Sequence, residues 1–313
     1  MSASEATKKT EDEGIRAIIE KEMATLRLWY GAEAVPVASE EALKEVDAGA
    51  LKDKVVVITG GSKGFGKTYA LRAAAYGAKV VIAARGQSGI DATVQEIEAA
   101  GGKASGLATD VSNWDSQVAL FEHAVKTFGP IDVVVANAGL FLTEDFLQDK
   151  VDEKGLLAKP DMAVVEVDTV GTIYTAKLGI HYLRKNPSPS PSLKSLVILG
   201  SLTSYIASPG AALYMSSSHG RLGLARALAL ESQIHGLGIN IGFVASAPVP
   251  TDIFGDLKGM VESIPHGALS DTVDAMLALS STLALAGKVL ATDTKGIFRL
   301  PMKQALPGEV VEK

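Results

Sequence analysis

From Lys54 onward, short continuous apolar runs alternate with stretches of helical period. The run 54–60, KVVVITG, is β-branched and unbroken, the pattern of a strand buried on both faces. A helix over Lys67–Ala75 and a second strand, AKVVIAAR, follow. The alternation continues as helix Ala92–Ala100, strand KASGLATDV, helix Trp114–Phe128 and strand IDVVVANAG. Beyond it come a helix around Ala163–Asn186, strand SLVILGS, a long helix after Tyr214 and strand GINIGFVAS. Such regular alternation predicts an α/β fold, a Rossmann-type doubly wound parallel sheet forming one domain over 51–313.

Residues 1–50 differ. Ile15, Ile18, Ile19, Met23, Leu26 and Leu28 form a helical stripe, and SEEALKEV reads as a second short helix, so 1–50 is expected to be an N-terminal helical extension. Asn186–Ser192 alternates proline and serine and reads as a stiff connector. Asp252–Asp271 mixes glycines and Pro265 with apolar residues, a flexible excursion at the carboxyl edge of the sheet suited to shaping an apolar pocket.

Charge and composition narrow the function classes. The 313 residues carry 30 Lys and Arg against 36 Asp and Glu, a net charge of −6. That balance argues against nucleic acid as a partner. No cysteine is present, which removes disulfides, thiolate metal sites and a cysteine nucleophile. The five histidines have no metal-ligand spacing, so no metal is expected. No apolar run approaches the roughly 18 residues of a spanning helix, and neither terminus shows a secretion or lipidation pattern. The expectation is a cytoplasmic protein without a membrane partner, acting on a small molecule.

The candidate chemistry begins at Thr59-Gly60-Gly61-Ser62-Lys63-Gly64-Phe65-Gly66, where the first strand turns into the first helix. Glycines there let backbone approach a pyrophosphate, and the helix start offers free amides. The TGxxxGxG spacing resembles the short-chain dehydrogenase/reductase family, and further matches follow in order. Asp110-Val111 resembles the pair that contacts the adenine ring. Asn137-Ala138-Gly139 resembles the motif bordering the cofactor. Ser201 and Tyr214 stand at the family's serine–tyrosine separation, and 238–251, with Val249 and Thr251, resembles the segment closing over the nicotinamide.

The resemblance implies a nicotinamide cofactor held by Gly60, Ser62, Lys63, Gly64, Phe65, Gly66, Arg85, Asp110, Val111, Asn137, Ala138, Gly139, Tyr214, Val249 and Thr251. No carboxylate ends the second strand, which closes Ala83-Ala84-Arg85. Arg85 with Lys63 favours the 2′-phosphate of NADP(H) over NAD(H). The family's tyrosine donates a proton, its serine polarises the same oxygen, its lysine lowers the tyrosine pKa, and its asparagine orders a water. Here Tyr214 and Ser201 remain, Ser218 occupies the lysine position, Asp168 the asparagine position, and Ser246-Ala247 replaces an expected Pro-Gly pair. Lacking a neighbouring cation, Tyr214 is expected to titrate near the reference value of about 10. Asp168 is either a base or relay, or a substitution without chemical role. His219, one helical step off the Ser218 face, reads as structural.

Three functions stay open. One is an NADP(H)-dependent oxidoreductase reducing a carbonyl or imine of an apolar metabolite, with Ser201, Tyr214 and Asp168 at the reacting centre. Another is a non-redox cyclase, isomerase or dehydratase using the same three side chains. The third is a catalytically silent binding protein. The composition resembles that of the family's secondary-metabolism members. The helix with Leu222, Leu224, Ala225, Leu228 and Leu230 resembles the family's pairing helix, which implies a homo-oligomer, dimer or tetramer.

Overall fold

A computed structural model describes residues 36–37, 48–144, 146–188, 192–207, 209–294 and 296–300. The two expected N-terminal helices lie outside these residues, as does 301–313.

Among the described residues the sheet has nine strands. They are β1 (Pro36–Val37), β2 (Val55–Thr59), β3 (Lys79–Ala84), β4 (Lys103–Ala108), β5 (Val133–Ala136), β6 (Ser195–Ser201), β7 (Asn240–Ser246), β8 (Val289–Asp293) and β9 (Gly296–Leu300). Their order is β1-β9-β8-β7-β6-β5-β2-β3-β4. Strands β2 to β8 run parallel, with Val56 beside Val80 and Val133, and Val197 beside Gly242. The parallel expectation holds through the interior, and the edge departs from it. There β9 folds back antiparallel on β8, and Pro36–Val37 adds a short antiparallel strand outside it.

The helices are α1 (Gly64–Ala75), α2 (Gln87–Ala99), α3 (Trp114–Phe128), α4 (Gly171–Lys185), α5 (Ala212–Ile234), α6 (Lys258–Ser263) and α7 (Leu269–Ser281). Alternate side chains of each strand feed opposite layers. Val56 and Ile58 pack with Tyr69 of α1, Ile90 of α2 and Leu277 of α7, whereas Val55 and Val57 pack with Phe121 of α3, Ala176 of α4 and Leu222 of α5. Burial on both faces explains why these strands carry unbroken apolar runs instead of alternating ones.

Three local features differ from the sequence expectation. The excursion 252–271 is built of a 3-10 turn, Asp252–Leu257, then α6 and the start of α7. The helix expected around Ala163 opens through a π-helical turn, Val165–Val170, before α4. Asn186 is more than a connector: its buried amide donates to Ile131 O at 2.8 Å and to Asp132 Oδ1 at 3.0 Å. Asp132 also accepts from Val55 N–H at 2.9 Å and pairs with Lys54 at 3.2 Å, closing the amino end of the sheet. Among the described residues, no helix is long and apolar enough to cross a membrane.

Candidate active site

Strand order reverses between β2 and β5, because the chain moves outward through β3 and β4 and then returns to β5, β6 and β7 on the other side. Such a switch point leaves a crevice at the carboxyl ends of the strands. A cleft of about 1600 Å³ occupies it, and every cofactor and site residue named from the sequence lines that one cleft.

At one end the glycine loop meets the end of β5. Gly60 has φ +70°, and a Cβ there would stand 2.8 Å from Asn137 Nδ2 and 2.9 Å from Ala138 Cα. At Gly66 a Cβ would fall 2.2 Å from Gly60 O. Asn137 holds this junction, its amide donating to Thr59 O at 2.8 Å and Gly60 O at 3.2 Å. The Thr59 hydroxyl accepts from the backbone N–H of Asn137 and of Ala138, each at 3.1 Å. Lys63 precedes α1 without a side-chain cap, and Gly64, Phe65 and Gly66 of the first turn, whose amides have no partner within a helix, line the cleft. The loop is thus a close-packed backbone turn that leads into an uncapped helix start at the cleft, the kind of site that suits a dinucleotide pyrophosphate.

Farther along this rim, Arg85 and Lys63 are exposed, and neither is held in an ion pair among the described residues. Asp110 turns its carboxylate to Ser112, accepting from its N–H at 2.9 Å and its hydroxyl at 2.7 Å, while Val111 packs under Gly171. Val249 is buried, and the side chain of Thr251 lies 3.9 Å from where a Cβ on Gly64 would stand. The closing segment therefore reaches the glycine loop.

The opposite end is apolar and aromatic. Tyr214 stands edge-on to Phe141 with ring centroids 4.9 Å apart, and Phe141 tilts against Phe254 at 4.8 Å. Ile206, Met260 and Ile264 complete this wall. Ser201 ends β6, nearly buried, with its Oγ accepting from Thr203 N–H at 3.2 Å. Burial pushes the Tyr214 phenol above its ordinary value, while Arg221 and Ser201 act in the opposite direction.

Arg221 is the residue that sequence reading missed. It follows Tyr214 by seven positions on α5 and is buried, with Nη2 3.1 Å from Asp168 Oδ2 and Nη1 donating to Leu199 O at 3.2 Å. Asp168 is fully buried, and its Oδ1 accepts from Leu140 N–H at 2.7 Å. Burial raises the Asp168 carboxyl above the usual range, against the pull of Arg221 and the Leu140 amide. The expectation of a tyrosine without a neighbouring cation is thereby corrected.

Ser218, at the family's lysine position, is buried outside the cleft lining, its Oγ accepting from Thr203 Oγ1 at 3.0 Å. His219 is exposed, with Nδ1 3.0 Å from Met215 O. No three His, Asp or Glu side chains gather as a metal-binding group among the described residues.

Comparison with known proteins agrees with this architecture. A family profile described as short chain dehydrogenase matches residues 54–261. The chain is 37% identical over 186 residues to the short-chain dehydrogenase/reductase ascJ of Acremonium egyptiacum, covering 59% of this chain and 60% of that protein. It is 29% identical over 284 residues to the 5′-hydroxyaverantin dehydrogenase of Dothistroma septosporum, covering 82% and 89%. Among solved structures, the 3-ketoacyl-(acyl-carrier-protein) reductase of Brucella melitensis complexed with NADH matches with a TM-score of 0.68 and 26% identity, over 78% of this chain and 98% of that one. With the profile spanning the sheet from β2 through α6, the chain belongs to the short-chain dehydrogenase/reductase family.

Proposed function

We propose that the protein is an NADPH-dependent reductase acting on a carbonyl or imine of an apolar metabolite. One observation carries this reading: a single cleft joins the glycine cradle and its two exposed cations to Tyr214 and Ser201 within an aromatic wall. The bound reduced nicotinamide supplies the hydride. Tyr214 gives its hydroxyl proton to the substrate oxygen or nitrogen as the hydride reaches the carbon, leaving an alcohol or amine. Ser201 donates a hydrogen bond to the same atom and polarises it. Phe141, Phe254, Met260 and Ile264 exclude water and hold the apolar body of the substrate. Burial favours the protonated phenol, which suits proton donation.

Asp168 enters this scheme as an ion-paired carboxylate. Both of its oxygens are engaged, by Arg221 and by the Leu140 amide. That arrangement weighs against a free base at this position and so against the non-redox alternative.

The test is consumption of NADPH, and separately NADH, by the purified chain with a panel of ketones and imines. Tyr214→Phe is expected to abolish turnover. A charge-assisted hydrogen bond contributes about 1.5–3 kcal/mol, and solvent exposure places Arg85 at the low end. Arg85→Ala is therefore expected to weaken NADPH binding about tenfold and to leave NADH binding unchanged. Equal affinity for the two cofactors in both proteins would refute the NADPH assignment. Product formation without nicotinamide oxidation would refute the reductase.

A further inference from the structure

We propose that Arg221 is the cation that holds charge on the Tyr214 phenol, doing from two helical turns away what the family's lysine does from one, and that Asp168 positions it. The proposal rests on the reading of Tyr214 as proton donor, and it concerns residues to which neither the sequence motifs nor the family likeness gives this task.

Helix geometry makes the replacement feasible. Seven residues advance about 700°, within 20° of two full turns, so Arg221 returns to the face of Tyr214 more closely than Ser218 does. It lies about 4.5 Å farther along the axis than position 218. Side chains on a helix lean toward its N-terminus, and an arginine is long enough to recover that distance. Two contacts then fix the guanidinium, Asp168 Oδ2 at 3.1 Å and Leu199 O at 3.2 Å, and the absence of a Cβ at Gly139, which would stand 3.7 Å from Nη1, leaves room beside it. Leu199 lies two residues before Ser201 on β6, so one strand sets the position of both the cation and the polarising hydroxyl.

Asp168 is held as firmly. It belongs to the π-helical turn ahead of α4, and its second oxygen is anchored by the Leu140 amide just beyond β5. The pair therefore has a fixed direction. Arg221 and Tyr214 line the same cleft, and at the phenol the attraction of Arg221 for negative charge outweighs the repulsion from Asp168. Ser218 fits the same picture: its short side chain, bonded to Thr203, adds no second cation beside the guanidinium.

The ionisation of Tyr214 tests the assignment without requiring activity. Phenolate absorbance is followed as pH rises in the full chain, with the matching Tyr214→Phe protein subtracted in each background. Asp168→Asn keeps an acceptor for the Leu140 amide and removes the opposing charge, so Tyr214 should ionise about one pH unit or more below the parent. In Arg221→Met/Asp168→Asn the cation is lost too, and ionisation should move back up by about one to three units. Where a substrate is in hand, the alkaline limb of kcat/KM for carbonyl reduction should follow the same two shifts. Arg221→Met/Ser218→Lys, which places a lysine at the family position, should bring ionisation back below that of Arg221→Met. Identical ionisation in Asp168→Asn and in the double variant, both folded by circular dichroism, would overturn the proposal. Phenol shifts as expected in a protein that oxidises no NADPH with any carbonyl would uphold the assignment and remove only the reductase reading.

Discussion

Arg221→Met should cost the protein much of its stability, and the cost should depend on pH in a direction fixed by Asp168. The substitution keeps the length and packing of the side chain and removes its charge. What remains is a carboxylate with no exposure, one oxygen on the Leu140 amide and the other without its cation. Removing one partner of a buried ion pair costs about 3–5 kcal/mol, a large part of the roughly 5–15 kcal/mol that holds a domain together. The variant recovers part of that loss by protonating Asp168. In the parent, burial already sets the Asp168 carboxyl above its unfolded value, so its contribution is fully present below the unfolded pKa of about 3.9 and is lost as pH rises through the folded one. Without Arg221 the folded pKa rises further, and the loss continues to higher pH at about 1.4 kcal/mol per unit. The stability gap between the two proteins should therefore be small near pH 4 and widen toward neutrality. Urea unfolding followed by circular dichroism at three or four pH values measures it. A gap that stays constant with pH, or stays below about 1 kcal/mol at neutrality, would refute the description of Asp168–Arg221 as a buried charge pair.

Gly66→Ala places a methyl group against Gly60 O and Asn137 Nδ2, so the cradle must open; NADPH binding should fall at least tenfold by calorimetry, and unchanged affinity would show that the loop does not hold the pyrophosphate. The protein should also form a homo-oligomer: Leu222 and Ala225 are used up in its own core, but Ile173 on α4 and Leu230 and Ile234 on α5 are left exposed, and a monomeric mass by light scattering at micromolar concentration would contradict this.

Elements with strong local signals were legible in the sequence to the residue. Helix Trp114–Phe128 begins where Asn113 accepts from the Ser116 amide and ends at Gly129 with φ +93°, and both signals are local. Strand Ser195–Ser201 is an unbroken apolar run because helices cover both faces. Helices α1 and α2 start three and five residues earlier than their periodicity predicts, since glycine and polar residues in the first turns dilute the apolar stripe. The antiparallel edge formed by β8 and β9 was not read at all. Its strands are only five residues each and lie two residues apart in the chain, and β8 joins the sheet through β7, far away in the chain. The residues named from the family likeness all line one cleft, and Arg221 was not among them, because position 221 is not among the positions that the likeness carries over. A signal was present: an arginine on a stripe with Leu222 and Ala225 must be solvated or paired, and Asp168 sits on the preceding helical segment. No periodicity argument reveals the π-helical turn that carries Asp168, since a single extra residue leaves the apolar pattern on either side intact.

The exchange of two side chains also changes the charge of the site. A neutral asparagine with a lysine places one net positive charge beside the tyrosine. Asp168 with Arg221 places none, only an ion pair in which the pull of Arg221 on the phenol outweighs the push of Asp168. A full positive charge strongly favours phenolate, the form that accepts a proton during alcohol oxidation; such a pair favours it less, and burial opposes it. The phenol therefore stays protonated across the neutral range and is ready to donate. On this reading the pair does more than restore a lost lysine: it sets the site toward reduction. Asp168 is the residue that tempers the cation, so the balance between the two directions lies with it more than with Tyr214. An enzyme built this way should oxidise alcohols only at distinctly alkaline pH, with a smaller alkaline requirement in Asp168→Asn.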